Sequence, residues 1–256
     1  VIDSHCHLDF SDFDHDRQVQ IAQARQHGVT DIVIPGVSAA QWPKLITLCQ
    51  ANSHLHFALG LHPYFLADFQ SEHLEQLDGL LQEYAGQVVA VGEIGIDLVI
   101  DADAGLQEQV FMAQLKLAEK HQLPVIIHHR KSHHLILHCL KTVRFTQGGV
   151  IHAYSGSKQQ AQAYIGQGFK LGVGGTITYP RARKTRQAIS QVPLEALLLE
   201  TDSPDMPMSG RQGARNSPVY LSQVLDSLVA LRQESRQQLE RQTEQNTRQL
   251  FKLNRS

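Results

Sequence analysis

The sequence has no apolar run near the roughly 20 residues of a membrane-spanning helix. Nor does it start with a basic segment followed by an apolar signal core. A membrane protein is not expected, and because residue 1 is Val, residues before it stay open. Cysteine is scarce: Cys6, Cys49 and Cys139 are an odd, scattered set outside any CxxC pair. That excludes a disulfide framework and a cysteine zinc site, and favours a reducing cytoplasm. Charge of one sign is missing too, with 23 Lys+Arg against 25 Asp+Glu and a formal net charge of -2. No global positive field advertises nucleic acid or membrane, so an anionic substrate must be held locally. No Pro/Gly/Ser-rich linker or composition shift divides the chain. One domain over residues 1–256 is expected, with no obligate protein partner evident, and 42% hydrophobic content is enough for a substantial core.

What is present is a repeated alternation. Short β-rich runs begin at Val1 (VIDSHCH), Asp31 (DIVIPGV), His56 (HFALGLHP), Val88 (VVAVGEIGID), Pro124 (PVIIHHR), Gly149 (GVIHAYSG), Lys170 (KLGVGGT) and Leu197 (LLLETDSP). Amphipathic stretches such as RQVQIAQARQHG and QEQVFMAQLKLAEKH lie between them. Strand and helix alternating at this spacing in about 250 residues predict a (β/α)8 TIM barrel, with a doubly wound open sheet as the alternative. The stretch from Pro218 to Leu253 reads as two extra C-terminal helices, and the loop DSPDMPMSGRQGARNSP before it is expected to overhang the mouth.

Polar residues gather at the C-terminal ends of these runs: His5 and His7, Glu93, His128, His152 and Asp202. Side chains at i and i+2 of a strand share a face, so His5 and His7 form a clamp while Cys6 turns toward the helices. Nitrogen ligands with Asp and Glu suit a borderline or harder divalent ion, and the set is too large for one tetrahedral zinc with an open position. Two divalent ions (Zn, Mn or Mg) are expected, one with His5, His7 and Asp202, the other with His128 and His152, sharing Glu93 as a bridge. VIIHHR offers one imidazole to each face, and alternation alone does not tell which is inside; His128 is assigned inward with Arg130 on its face, and His129 outward. His134 and His138 have a zinc-like i, i+4 spacing but lack the glutamate of HExxH, and read as a helix face. Candidate substrate contacts are His62 in GLHPY, Arg130, Tyr154, and Arg181 and Arg183 in the basic stretch YPRARKTR, which also holds Lys184 and Arg186.

With these residues placed, the chain resembles the TatD family of metal-dependent deoxyribonucleases, amidohydrolase-like barrels, and particularly its YjjV branch. The resemblance rests on DSHCHLDF, GLHP, VGEIGID, LPVIIHHR, IHAYSGS, GVGGTITYPRARKTR, LLLETDSPDMP and NTRQLF, spanning nearly the whole chain. It implies that His5, His7, Glu93, His128, His152 and Asp202 are the metal ligands. Leu98 stands where the family commonly has an aromatic residue, and Arg215-Asn216-Ser217-Pro218 where Arg-Asn-Glu-Pro is usual; both are expected near substrate. The expected function is two-metal phosphodiester hydrolysis of DNA, 3'-5' exonuclease-like, by a metal-activated water, with Glu93 and Asp202 catalytic and Asp202 handling the proton. The alternative is a two-metal hydrolase of a small ester or amide, or of an aminoacyl-tRNA bond.

Overall fold

Residues 1–253 are described by a computed structural model. Their eight parallel strands fall where the β-rich runs predict: β1 (Ile2–Asp3), β2 (Asp31–Pro35), β3 (Leu55–Ala58), β4 (Val91–Asp97), β5 (Val125–Arg130), β6 (Gly149–Ile151), β7 (Phe169–Val173) and β8 (Leu197–Leu199). Helices α1 (Arg17–Gln26), α2 (Trp42–Gln50), α3 (Glu72–Glu83), α4 (Ala104–His121), α5 (His133–Val143), α6 (Lys158–Ile165) and α7 (Arg183–Gln191) connect them. The C-terminal pair is α8 (Leu221–Leu231) and α9 (Arg236–Phe251). Local chemistry marks several starts. Asp103 caps α4 by accepting from Leu106 N–H, and Ser157 with Gln160, like Ser235 with Gln238, forms a capping box.

Ladder pairing runs β1-β2-β3 and β4-β5-β6-β7-β8. The barrel closes at two seams through residues just past the strands. At one, Ser4 N–H donates to Leu199 O (2.9 Å), Asp202 N–H to His5 O (2.9 Å) and His7 N–H to Ser203 O (2.7 Å). At the other, Leu59 pairs with Val91, and Gly92 N–H donates to Leu59 O at 2.9 Å. Gly60 is required there, because a Cβ on it would lie 2.7 Å from the Gly92 carbonyl carbon. Inside the barrel, Ile2, Val33, Ala58, Ala90, Ile126, Val150 and Leu198 pack together, joined by Phe251 at the end of α9 and by Leu253 just past it. This apolar floor excludes water from one end and leaves the other to polar side chains.

The loop 202–217 does cover the mouth, with Asp205 and Met206 lining the cavity there. Contrary to expectation, Arg215-Asn216-Ser217-Pro218 holds this loop rather than facing substrate. Asn216 is buried, its amide donating to Thr201 O and Asp205 O, each at 2.8 Å. Arg215 grips Asp16 with Nη1 and Nη2 (2.9 and 2.5 Å) and stands over the Phe13 ring. That pair holds the Asp16 carboxyl at about 2, below its ordinary value of 3.8. A depressed folded value gives stability that is present above pH 4 and is lost as pH falls toward 2. Arg215→Ala is expected to cost about 1 kcal/mol at pH 6, the scale of a partly exposed bidentate pair, with the deficit shrinking between pH 4 and pH 2 in urea titrations. A deficit independent of pH would locate the effect in lost packing on Phe13 instead.

Candidate metal centre

The site rises from the barrel floor by the strand period. Two residues beyond Ile126 is His128, two beyond Val150 is His152, and two and four beyond Leu198 are Glu200 and Asp202. His5 and His7 lie just past β1, with their Nε2 atoms 3.2 Å apart, while Cys6 is buried in the helix-side core with Leu8 and Trp42. The structure therefore brings His5, His7, Glu93, His128, His152 and Asp202 together.

Glu93 is the hub, 1% exposed. Its Oε2 lies 3.2 Å from His5 Nε2 and 3.2 Å from His7 Nε2. Its Oε1 lies 2.7 Å from His152 Nε2, 3.3 Å from His128 Nδ1 and 3.3 Å from His62 Nε2. Asp202 Oδ1 joins the first side, 3.3 Å from His5 Nε2. One carboxylate oxygen thus serves each group of imidazoles.

The charges in this pocket favour a cation. Burial opposes ionisation of Glu93, but His152, His62 and His5 outweigh it and hold its pKa well below the ordinary range. In return, against the cost of burial, Glu93 helps to raise His152 far above its ordinary value and His7 and His128 to a lesser extent. His5, fully buried and beside His152, is pushed well below its ordinary value and presents a neutral imidazole. Burial raises Asp202 to about 7. Neutral and charge-bearing imidazoles around one carboxylate give a set of nitrogen and oxygen donors that fits divalent ions, whose binding displaces protons from such ligands. His5, His7 and Glu93 each offer an atom within 4.8 Å of the others.

Hydrogen bonds fix which nitrogen faces inward. Asp97 Oδ2 accepts from His128 Nε2 at 3.0 Å, which leaves the Nδ1 lone pair turned to the centre. Although burial opposes it, the bonds from His128 and Val99 hold the Asp97 carboxyl at about 2. His62 is arranged the other way. Its Nδ1 accepts Tyr64 N–H at 3.0 Å, so the ring proton sits on Nε2 facing Glu93, and His62 offers a donor rather than a ligand. Glu200 Oε1 accepts Ala153 N–H at 2.5 Å and lies 3.7 Å from His152 Nδ1. Asp97→Ala is expected to weaken metal affinity 10- to 100-fold, on the order seen for removal of such supports, with Asp97→Asn retaining part of it. Competition with a chromogenic chelator reads this directly, and unchanged affinity in the alanine variant would remove Asp97 from the site.

A cavity of about 680 Å³ opens over the cluster, lined among others by His7, His62, Tyr64, Phe65, Glu93, Arg130, His152, Asp202 and Met206. Arg130 faces it as expected, its Nη1 donating to Tyr64 Oη at 3.3 Å. His129 packs against the His133 ring at 4.3 Å, and His134 and His138 lie on the exposed face of α5. Tyr154 is a correction. It is 2% exposed and donates its hydroxyl to Ser157 O at 2.6 Å, so it does not reach the cavity. The cause is Ala153, whose φ of 44° turns the chain and breaks the strand parity after His152. Arg181 and Arg183 are exposed outside the cavity lining, with Arg181 5.0 Å from the Tyr179 ring centroid. Arg186 is tied down by donating to Ile177 O.

The family described as TatD related DNase matches residues 2–252. An Escherichia coli protein named as an uncharacterized metal-dependent hydrolase, YjjV, is 43% identical over 254 residues, covering 98% of this chain and 98% of the relative. The crystal structure of YjjV superposes with a TM-score of 0.95 at 42% identity, over 99% of this chain and 98% of that one. A Pantoea protein named 3'-5' ssDNA/RNA exonuclease TatD is 31% identical, over 99% of this chain and 100% of its own. An uncharacterized amidohydrolase from Saccharomyces cerevisiae shares the fold, with a TM-score of 0.83 at 17% identity over 98% and 99% of the two chains.

Proposed function

The chain belongs to the TatD related DNase family and is a metal-dependent hydrolase, and on that premise we propose that it is a deoxyribonuclease removing nucleotides from the 3' end of single-stranded DNA with two divalent ions. The observation that carries this reading is the division of Glu93, with one oxygen toward His5 and His7 and the other toward His128 and His152. His5, His7 and Asp202 would hold one ion, His128 and His152 the other, and Glu93 both. Bound there, zinc, manganese or magnesium supplies Lewis acidity toward a phosphoryl oxygen and lowers the pKa of water.

The chain's own groups do the rest. Asp202, at the mouth, accepts the proton of the attacking water and returns it to the leaving oxygen. His62 directs its Nε2–H toward the reacting phosphate or leaving group. Arg130, the one Arg or Lys among the described residues in the cavity lining, grips the scissile or neighbouring phosphate. Arg181 and Arg183, in the segment after β7, meet flanking phosphates. Residues 1–256 act as one domain. No helix of the described residues is long and apolar enough to cross a membrane, and three unpaired, buried cysteines support a cytoplasmic location.

Metal-stripped protein reconstituted with single ions and offered end-labelled single-stranded DNA and a panel of small esters and amides tests this. Metal-dependent release of nucleotides from the 3' end is the expected result. Ester or amide turnover with DNA left intact would replace the reading with a small-substrate hydrolase.

A further inference from the structure

Exposed apolar side chains collect in the segments that follow the strands at the site's end of the barrel. Tyr64 is 49% exposed, Phe65 46%, Val99 44%, Leu98 37% and Met206 36%. All follow β3, β4 or β8, at the end of the barrel where Glu93 sits. An exposed Leu or Val alone requires no explanation, but grouping around one mouth does.

Tyr64, Phe65 and Met206 line the same cavity as Glu93, Arg130 and Asp202. Both residues sit on one ordered turn. Pro63–Phe65 forms a 3-10 turn started by His62, whose Nδ1 accepts Tyr64 N–H. The Tyr64 hydroxyl is held by Arg130. Contacts of the two rings with His62 and His128 are edge-on, at interplanar angles of 84°, 72° and 68°. Among the described residues, no aromatic ring stacks face to face on either of them.

We propose that Tyr64 and Phe65 form a stacking site for the unpaired terminal base of a single-stranded nucleic acid, beside the centre that receives the adjoining phosphate. The proposal rests on the phosphodiesterase reading and adds what that reading leaves open, the part of the substrate the protein grips besides phosphate. Rings about half exposed suit nucleobases because every base has a π-face, and such contacts tolerate any sequence. An internal paired base is stacked on both faces and a terminal pair is held to its partner strand, whereas an unpaired terminal base is free to turn onto the rings, so the site favours single strands. The base is the terminal one because the chain has no hospitable exit past Tyr64. There a second cavity of about 430 Å³ is lined by Asp101 and Asp103 with Ile100 and Leu106, a surface that repels a continuing phosphate backbone.

The test measures affinity, with chelator present, for three short labelled oligodeoxynucleotides: intact, abasic at the 3'-terminal position, and abasic at an internal position. Wild-type protein is expected to lose about tenfold on the terminally abasic strand, the scale of one base–aromatic stack, and little on the internal one. Tyr64→Ala/Phe65→Ala should bind all three alike, as weakly as wild type binds the terminally abasic strand. Tyr64→Phe/Phe65→Tyr, which keeps both rings, should restore the discrimination. A wild type indifferent to the terminal base, or an alanine variant that still discriminates, overturns the stacking site. Single-stranded DNA left uncut by wild type with zinc, manganese and magnesium overturns the phosphodiesterase reading, and this site with it.

Discussion

Replacing Glu93 by alanine is expected to lower kcat/KM by about four orders of magnitude or more, roughly 5 kcal/mol of transition-state stabilisation. The size follows from its place as hub. His5, His7, His62, His128 and His152 all reach its carboxylate within 3.3 Å, so one deletion removes the anion that holds both groups together. Such groups act as a unit, and loss of one costs nearly as much as loss of several. Glu93→Gln separates charge from shape. Its amide fills the same volume, but it carries no charge, and one of its two ends becomes a donor with no lone pair to offer an ion. Both variants should fold, with a comparable loss of activity and bound metal. Steady-state rates on one oligonucleotide, together with metal content by elemental analysis, check this. An alanine variant within tenfold of wild type would move the chemistry away from Glu93.

Removing the metal is expected to abolish turnover and lower Tm by about 10 °C at pH 8. Ions bound only by the folded chain stabilise it by about 4 kcal/mol at a thousand times Kd, and each kcal/mol moves Tm by roughly 2–4 °C in a chain of this size. The pH dependence has a definite sign. His7, His128 and His152 have folded pKa values raised above the ordinary one. Stability from their protonation is therefore complete below the unfolded value and disappears as pH rises through the folded values. Ions compete with those protons, so the gap between metal-loaded and stripped protein should widen from pH 6 to pH 8. Thermal melts with and without chelator at both pH values measure it. Equal Tm values with activity retained in chelator would contradict a metal-dependent site.

Much of this centre was legible because a strand repeats every two residues. That parity, counted from apolar positions now seen in the barrel floor, carries Ile126 to His128 and Val150 to His152, whereas in the sequence alternation alone did not tell His128 from His129, and both border the cavity. The same rule extended back from Asp202 would have found Glu200, which the focus on strand ends passed over. Tyr154 was misplaced where the rule stops applying, at Ala153, whose positive φ sends the chain back toward the helices. Asp97 supports His128 across the β4–β5 pairing, and a register between strands is not visible in one sequence. The two seams escaped notice for a similar reason, since hydrogen bonds outside regular strands close them. Tyr64 and Phe65 did carry a signal, two aromatics directly after GLHP, but only their exposure distinguishes a binding face from core.

The central claim is that Glu93 divides two divalent ions between two groups of imidazoles. Anomalous diffraction from crystals grown with manganese or zinc, recorded on both sides of the metal's absorption edge, tests it most directly. Two peaks are expected to flank the Glu93 carboxylate, one beside His5, His7 and Asp202 and the other beside His128 and His152. A single peak, or peaks only at sites away from Glu93, would contradict it.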